Sequence, residues 1–548
     1  MYTQRYDPVA GSLGLSAIVA ILPLVVLFLV LIRSRTKSHW ATIAALLTAL
    51  VFANAFYGMP AAQALDAGAE GVAFGLFPIM WIVVNALWIF RMTEQTGDFD
   101  SLRRSFAGIT MDPRMQAVII AFAFGALLEA VAGFGAPVAI TSALLLALGF
   151  EPVKAAAIAL VANTAPVPFG AIGIPVVTLS AVTGIPQHDV AAMIGRQTPL
   201  IAIIVPFIVV YIVDGRHGLR ESWPGALVAG FAFGAAQFVS SNFISVALTD
   251  VIASMVSLGA IVAFLNLRRW SKPMRAVGFT RDPAASGAVP GSVSSERSDT
   301  TPLRAETVRA FAPYAIIVGV FALSQWGPLR GFLTGRTEAF SWPRLHVVGP
   351  NGRSPNSLTF TMDWLASAGT MLLFAGLLTM AVLRIPLRSG LAAYVAVIGR
   401  VKWTALTVTT VLALAYVMNL SGQTATLGLW LAGASGLLAV LAPVIGWLGV
   451  SITGSDTASN ALFGGPVANA ATNAHLSPVL LAAAVSSGGV LGKMFSAQHL
   501  AIGAAATDLT GEEGRIFRSV MKWSLSLLLV LCVLVWLQST SVLGWMVP

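Results

Sequence analysis

Long apolar runs constrain this chain more than any other feature. A helix crossing about 30 Å of hydrocarbon needs roughly 20 predominantly apolar residues. Uninterrupted segments of that kind lie near 12–32, 40–60, 71–91, 223–243, 246–266, 308–326, 363–383, 404–421 and 519–541. Three more, near 154–182, 197–213 and 477–502, have spanning length but carry Pro, Gly or polar residues in mid-segment. Backbone inside lipid must satisfy its own hydrogen bonds. The expected fold class is therefore an all-α polytopic membrane protein with about 12 transmembrane helices.

Composition agrees. Hydrophobic residues are 57% of the chain and charged residues 10%, against about 25% charged in soluble domains. The run 12–32 has only Arg5 ahead of it and no small-residue cleavage site, so it reads as a first span and not a removable signal. The single cysteine, Cys532, lies in an apolar run, which leaves no disulfide framework and no thiolate metal site, and no cofactor is expected. The net charge of +9 comes from residues in short loops, where it reports orientation in the bilayer and not nucleic-acid binding. His39, His188, His217, His346 and His475 show no paired ligand spacing and are assigned no role.

Lys and Arg excess places the loop 33–39, the loop 91–114 and the segment 267–307 in the cytoplasm. The last, rich in Ser, Pro and Gly, carries seven basic residues from Arg268 to Arg304. Between Arg114 and Lys154 the chain must then enter and leave the membrane by one side. Residues 115–129 make only about 23 Å of helix at 1.5 Å per residue, too short to cross comfortably. A re-entrant hairpin over 115–150, with "GFGAP" at its tip, fits that count. A second hairpin, over about 424–475 with "TGSDTASNALFGG" at its middle, would enter from the opposite face. Opposite faces are what an inverted repeat produces. Each hairpin precedes an interrupted span, 154–182 or 477–502. The expected organisation is a transmembrane half 1–266, a cytoplasmic linker 267–307 and a second half 308–548. The loop 327–362 resists this map, since it falls outside yet holds Arg330, Arg336, Arg344 and Arg353 against the single acid Glu338.

Broken helices inside a bilayer are tolerated where they line a polar cavity, and half-helix N-termini there suit an anion. The candidate hairpin and break positions are Gly133, Gly135, Pro137, Gly170, Gly454 and Gly489. The candidate anion-binding side chains are Asn163 and Thr164 in the first broken span, Ser455, Thr457, Ser459 and Asn460 at the second hairpin, and Lys493, Gln498 and His499 in the second broken span. Ser455, Asp456 or Thr457 also fits as a helix N-cap. Arg196 reads either as an interfacial anchor or as an anion-recruiting residue. Glu129 reads as a buried acid paired with a base, as a capping or packing residue, or as a proton carrier. An acid in a cavity alternately wet and closed can load and release a proton, and the carrier reading is favoured.

Taken together, "LLEAVAGFGAPVAI", "ANTAPVPFGAIGIPV", "IGRQTPL", "TGSDTASNALFGG" and "GGVLGKMFSAQHLAIGAAA" resemble the lactate permease family over nearly the whole chain. The resemblance implies a multi-pass secondary transporter of the bacterial inner membrane that imports lactate, glycolate and related 2-hydroxy monocarboxylates with protons. It lends weight to Glu129 and Asp456 as proton-coupling residues, and to Arg196, Lys493 and Gln498. His499 departs from the smaller polar residue expected after that glutamine, and 267–307 lies outside the resemblance. The alternatives are a membrane-embedded hydrolase using Glu129 and Asp456 as an acid pair, a channel, or a sodium-coupled carboxylate transporter.

Overall fold

The computed structural model describes all residues except 33–37, 98–109, 132, 134, 269–303, 325, 351–357 and 510–511. Most of the 267–307 linker therefore lies outside the described residues. The protein is a helical, multi-pass membrane protein. Among the described residues eight helices are long and apolar enough to cross a membrane, or up to ten if two bent helix pairs each count as one span. Part of the distance from about 12 lies in the helix Gln187–Val239, 53 residues long. At 1.5 Å per residue that is about 80 Å, far more than one bilayer. Asp214 and Gly215 leave helical geometry, with Gly215 at φ 59°, and divide it in two.

Two hairpins of helices carry the centre of the molecule. The first pairs Pro113–Val131 with Ala136–Ala147, and the turn uses Gly133 and Gly135 at positive φ, 47° and 88°. Pro137 opens the return helix, where its missing N–H leaves no bond unmade. Asp112 caps the leading helix by accepting from the Arg114 N–H. The buried Arg114 guanidinium also bonds Asp214 (3.2 Å) and Glu221 (2.8 Å), which ties the hairpin's foot to the break at 214–215. The second hairpin pairs Leu438–Thr453 with Asp456–Asn473, and Gln423–Ala432 stands before it as a separate short helix.

Each hairpin is followed by a broken helix. Pro152–Ala162 and Gly170–Thr183 are separated by a turn and bent by 61°. Pro478–Lys493 and Ala497–Ala506 are interrupted at Met494–Ser496. Small residues set how tightly the second unit packs. A Cβ on Gly446 would lie 1.8 Å from the Val485 carbonyl, and one on Gly488 2.0 Å from the Pro443 carbonyl. Only glycines let the two backbones come that close.

The amino-terminal strand Tyr2–Thr3 pairs in parallel with Val347–Val348, and Glu338–Ser341 pairs antiparallel with Thr359–Met362. The Tyr2 hydroxyl donates to the carbonyls of Tyr57 and Ser421. The 327–362 loop thus lies at the same end of the bundle as the amino terminus. The helix Leu13–Ile32 separates that end from 33–39, so the two basic segments cannot both face the cytoplasm. The loop 327–362 thus lies at the end opposite 33–39, and its basic residues remain an exception to the charge rule.

Candidate functional site

Glu129 stands in the last turn of the first hairpin's leading helix, 4% exposed. Lys493 ends the half-helix Pro478–Lys493 and is 7% exposed. Their sequence separation is 364 residues, yet Lys493 Nζ donates to Glu129 Oε1 at 2.7 Å. The other carboxylate oxygen, Oε2, accepts from Asn163 Nδ2 at 3.0 Å, at the point where the first broken helix stops. Gly170 gives the acid its room, since a Cβ there would be 2.9 Å from Oε1. The acid and its base thus come from different halves of the chain, joined where three helices end. A lysine at a helix C-terminus is favoured by the helix dipole, whereas the glutamate needs a cation to offset it.

Asp456 is placed differently. It opens the return helix of the second hairpin, where the helix dipole favours an acid. Its Oδ2 accepts from Ser486 Oγ (2.7 Å) and Asn460 Nδ2 (3.3 Å). Its Oδ1 has no hydrogen-bond partner among the described residues. Gly454 makes the turn at φ 74°, Ser455 caps the helix by accepting from the Ala458 N–H, and Gly489 leaves the space that Asp456 fills. A Cβ on Gly489 would sit 2.4 Å from Oδ1.

A cavity of about 440 Å³ joins these groups. One wall is Glu129, Gly133, Gly170, Ser455, Asp456, Thr457, Lys493, Gln498 and His499. The other is a face of Leu387–Ser421 running from Trp403 through Thr404, Thr407 and Val411 to Leu412, with His39 and Thr42 beside it. Ten residues of helix, nine rises, make that wall about 13 Å long. The cavity therefore reaches from the hairpin tips toward the end of the bundle that holds His39 and Trp403, whose rings stack at 4.6 Å. Near Lys493, Ser496 caps the half-helix Ala497–Ala506 by accepting from the His499 N–H, so Gln498 and His499 occupy its first turn, the end of a helix that suits an anion. His499 Nδ1 is within 2.9 Å of Ser496 Oγ, and its Nε2 has no hydrogen-bond partner among the described residues.

Several sequence candidates lie elsewhere. Arg196 is not at the cavity: its Nε donates to Asn242 Oδ1 (3.0 Å) and its Nη1 to the Met546 carbonyl (2.8 Å), the geometry of an anchor. Ser459 faces Leu438–Thr453, where its hydroxyl donates to the Gly446 carbonyl. Thr164 bonds back to the Val161 carbonyl. Asn163 and Asn460 reach the two acids and not the cavity surface. Two buried residues escaped the sequence reading. His39 looked like a loop residue and lines the cavity, a placement its local sequence does not signal. Asp250, fully buried, sat inside an unbroken apolar run, and its charge alone could have marked it.

Fold and site together define a multi-pass helical membrane protein with a central charged cavity framed by two hairpins and two broken helices. The L-lactate permease family model matches residues 16–542, and the chain belongs to that family. It is 39% identical to the L-lactate permease of Bacillus subtilis (strain 168) and 38% identical to the glycolate permease GlcA of Escherichia coli (strain K12), covering 100% of this chain and at least 99% of each relative. It is also 39% identical, over the whole of both chains, to the L-lactate permease of Escherichia coli (strain K12).

Proposed function

We propose that this protein carries L-lactate, glycolate and related 2-hydroxy monocarboxylates across the bacterial inner membrane together with protons, by alternating access. Family membership and the named activities of its relatives support the substrate class. The observation that carries the mechanism is the buried Lys493–Glu129 pair at the cavity wall.

In the empty carrier the two charges neutralise each other. An arriving carboxylate competes with Glu129 for Lys493, while the first-turn N–H groups beside Gln498 and the hydroxyls of Ser455 and Thr457 supply neutral donors and acceptors for the rest of a hydroxy acid. Glu129, deprived of its cation in a poorly solvated site, then takes a proton. Lys493 with the substrate carboxylate and a neutral Glu129 sum to the same charge as Lys493 with ionised Glu129. Both empty and loaded forms can therefore rearrange without carrying net charge through the site. Asp456, whose Oδ1 is buried against Gly489 without a hydrogen-bond partner among the described residues, is the second acid we assign to coupling. The hairpins and broken helices act as two inverted units that meet at this site, with the cavity here turned to the cytoplasm by the charge rule.

The test is uptake of labelled lactate into sealed proteoliposomes under an imposed pH gradient, with and without sodium. Accumulation driven by the proton gradient and indifferent to sodium is expected. A requirement for sodium would replace the coupling ion, and no accumulation under either gradient would remove the carrier reading.

A further inference from the structure

Behind Glu129, away from the cavity, lies an acid that this mechanism does not use. Asp250 stands in the first turn of Thr249–Arg268 and is 0% exposed. Its Oδ1 accepts from Gln237 Nε2 at 3.3 Å, while Oδ2 has no hydrogen-bond partner among the described residues. No cation contacts it among those residues, and the helix that carries it packs against Gly125–Val131, the helix of Glu129. Gly170–Thr183, also packed on this helix, has no charged residue. An ionised carboxylate with one amide partner at that depth is expensive, and such groups mark proton pathways.

Its surroundings form a line. Gln237 also donates to the Ala165 carbonyl, inside the first helix break, two residues after the Asn163 that holds Glu129. On the other side, Thr198 donates to Gln237 Oε1, and Thr198 lies two residues beyond Arg196, which reaches the carboxy-terminal segment at Met546. The polar line therefore runs from the Arg196 end of the bundle, past Asp250, to the helix break beside Asn163, the residue that bonds Glu129. The cavity runs from the front of Glu129 to the opposite end, at His39 and Trp403.

We propose that Asp250 is the proton relay that feeds Glu129 from the Arg196 end of the bundle, in the form of the carrier whose site is open to that end and closed at the His39 end. This rests on the coupling role given to Glu129 above. When substrate takes Lys493, the proton leaves the Asp250 carboxyl and binds a Glu129 carboxylate oxygen. Water at the Arg196 end then returns a proton to Asp250, so one proton is gained from that side and none is created or lost. Substrate and proton thus reach one site from the same side by separate routes.

The experiment compares wild type, Asp250→Asn and Asp250→Glu in proteoliposomes, reading lactate exchange, proton-driven uptake and the pH profile of each. Asp250→Asn, which keeps the acceptor for Gln237 but cannot pass a proton, should retain exchange and lose tenfold or more of proton-driven uptake. Asp250→Glu should restore uptake with a displaced pH profile, an effect a packing role would not produce. Wild-type uptake and pH profile in Asp250→Asn would overturn the relay, as would equal loss of exchange and uptake in folded protein. If Asp250→Asn does not fold, the lactate-induced infrared carboxyl band decides: it should shift in Asp250→Glu, and an unshifted band overturns the proposal. Failure of proton-driven uptake in the wild type would instead strike the coupling reading itself.

Discussion

The two hairpin-and-break units use the same parts and satisfy their acids in different ways. In the first, Glu129 ends a helix, against the helix dipole, and is held by a lysine from the other half of the chain. In the second, Asp456 begins a helix, with the dipole, and is held by neutral neighbours from its own unit, Ser486 and Asn460. An acid whose counter-ion can be withdrawn by a ligand changes its environment when substrate binds, whereas an acid held by neutral partners of its own unit keeps those partners. The difference predicts an order of effects.

The largest belongs to Lys493. Lys493→Ala leaves Glu129 buried without its cation, at a cost of about 3–5 kcal/mol if it stays ionised, and removes a charge-assisted bond to substrate worth about 1.5–3 kcal/mol, roughly ten- to a hundredfold in affinity. Lys493→Ala combined with Glu129→Gln should recover much of the lost thermal stability while remaining unable to bind lactate. Additive losses in that cycle would mean the pair is not coupled.

Gly489→Ala comes next. Its Cβ would meet Asp456 Oδ1 at 2.4 Å, so the acid must move. Overpacking of this kind costs about 1–3 kcal/mol, and transport should fall further than stability. Gly436, with nothing within 4 Å of its Cβ, is the control. Wild-type transport by Gly489→Ala would show that the placement of Asp456 is unimportant.

Asp456→Asn should be milder than Glu129→Gln in stability, because its partners are neutral and the amide can still accept from Ser486. If melting temperatures reverse that order, the contrast between the two acids fails. Smallest is Arg196→Gln: it breaks bonds to Asn242 and Met546 worth about 0.5–1.5 kcal/mol each and should leave lactate affinity unchanged. A large loss of affinity would return Arg196 to the anion site.

How legible was this from sequence? Glycines and prolines marked both hairpin tips and the first break, because those residues report backbone geometry directly. The second break falls at Met494–Ser496, and Gly489, expected at a break, lies inside the helix before it, where its missing side chain makes room for Asp456. Lys493 announced a need for a partner, but nothing local could name Glu129, which arrives from across the fold. The same holds for His39, placed by its stack with Trp403. Arg196 misled for the opposite reason: a motif fixes a residue's position along a helix and not the face on which its side chain lies. The basic loop 327–362 opposes the charge rule, and its pairing with the amino terminus keeps it at the end opposite 33–39. A cysteine at Glu338, an exposed strand residue, should label from the periplasmic side alone.

The central claim is that Glu129 exchanges a lysine for a proton when substrate binds. Glu129→Gln mimics the permanently protonated form, which can load substrate and rearrange while loaded but cannot release its proton and return empty. The direct measurement compares lactate exchange with gradient-driven lactate accumulation in the same Glu129→Gln proteoliposomes. Exchange that survives while accumulation disappears is the predicted result. Accumulation at the wild-type ratio would contradict it.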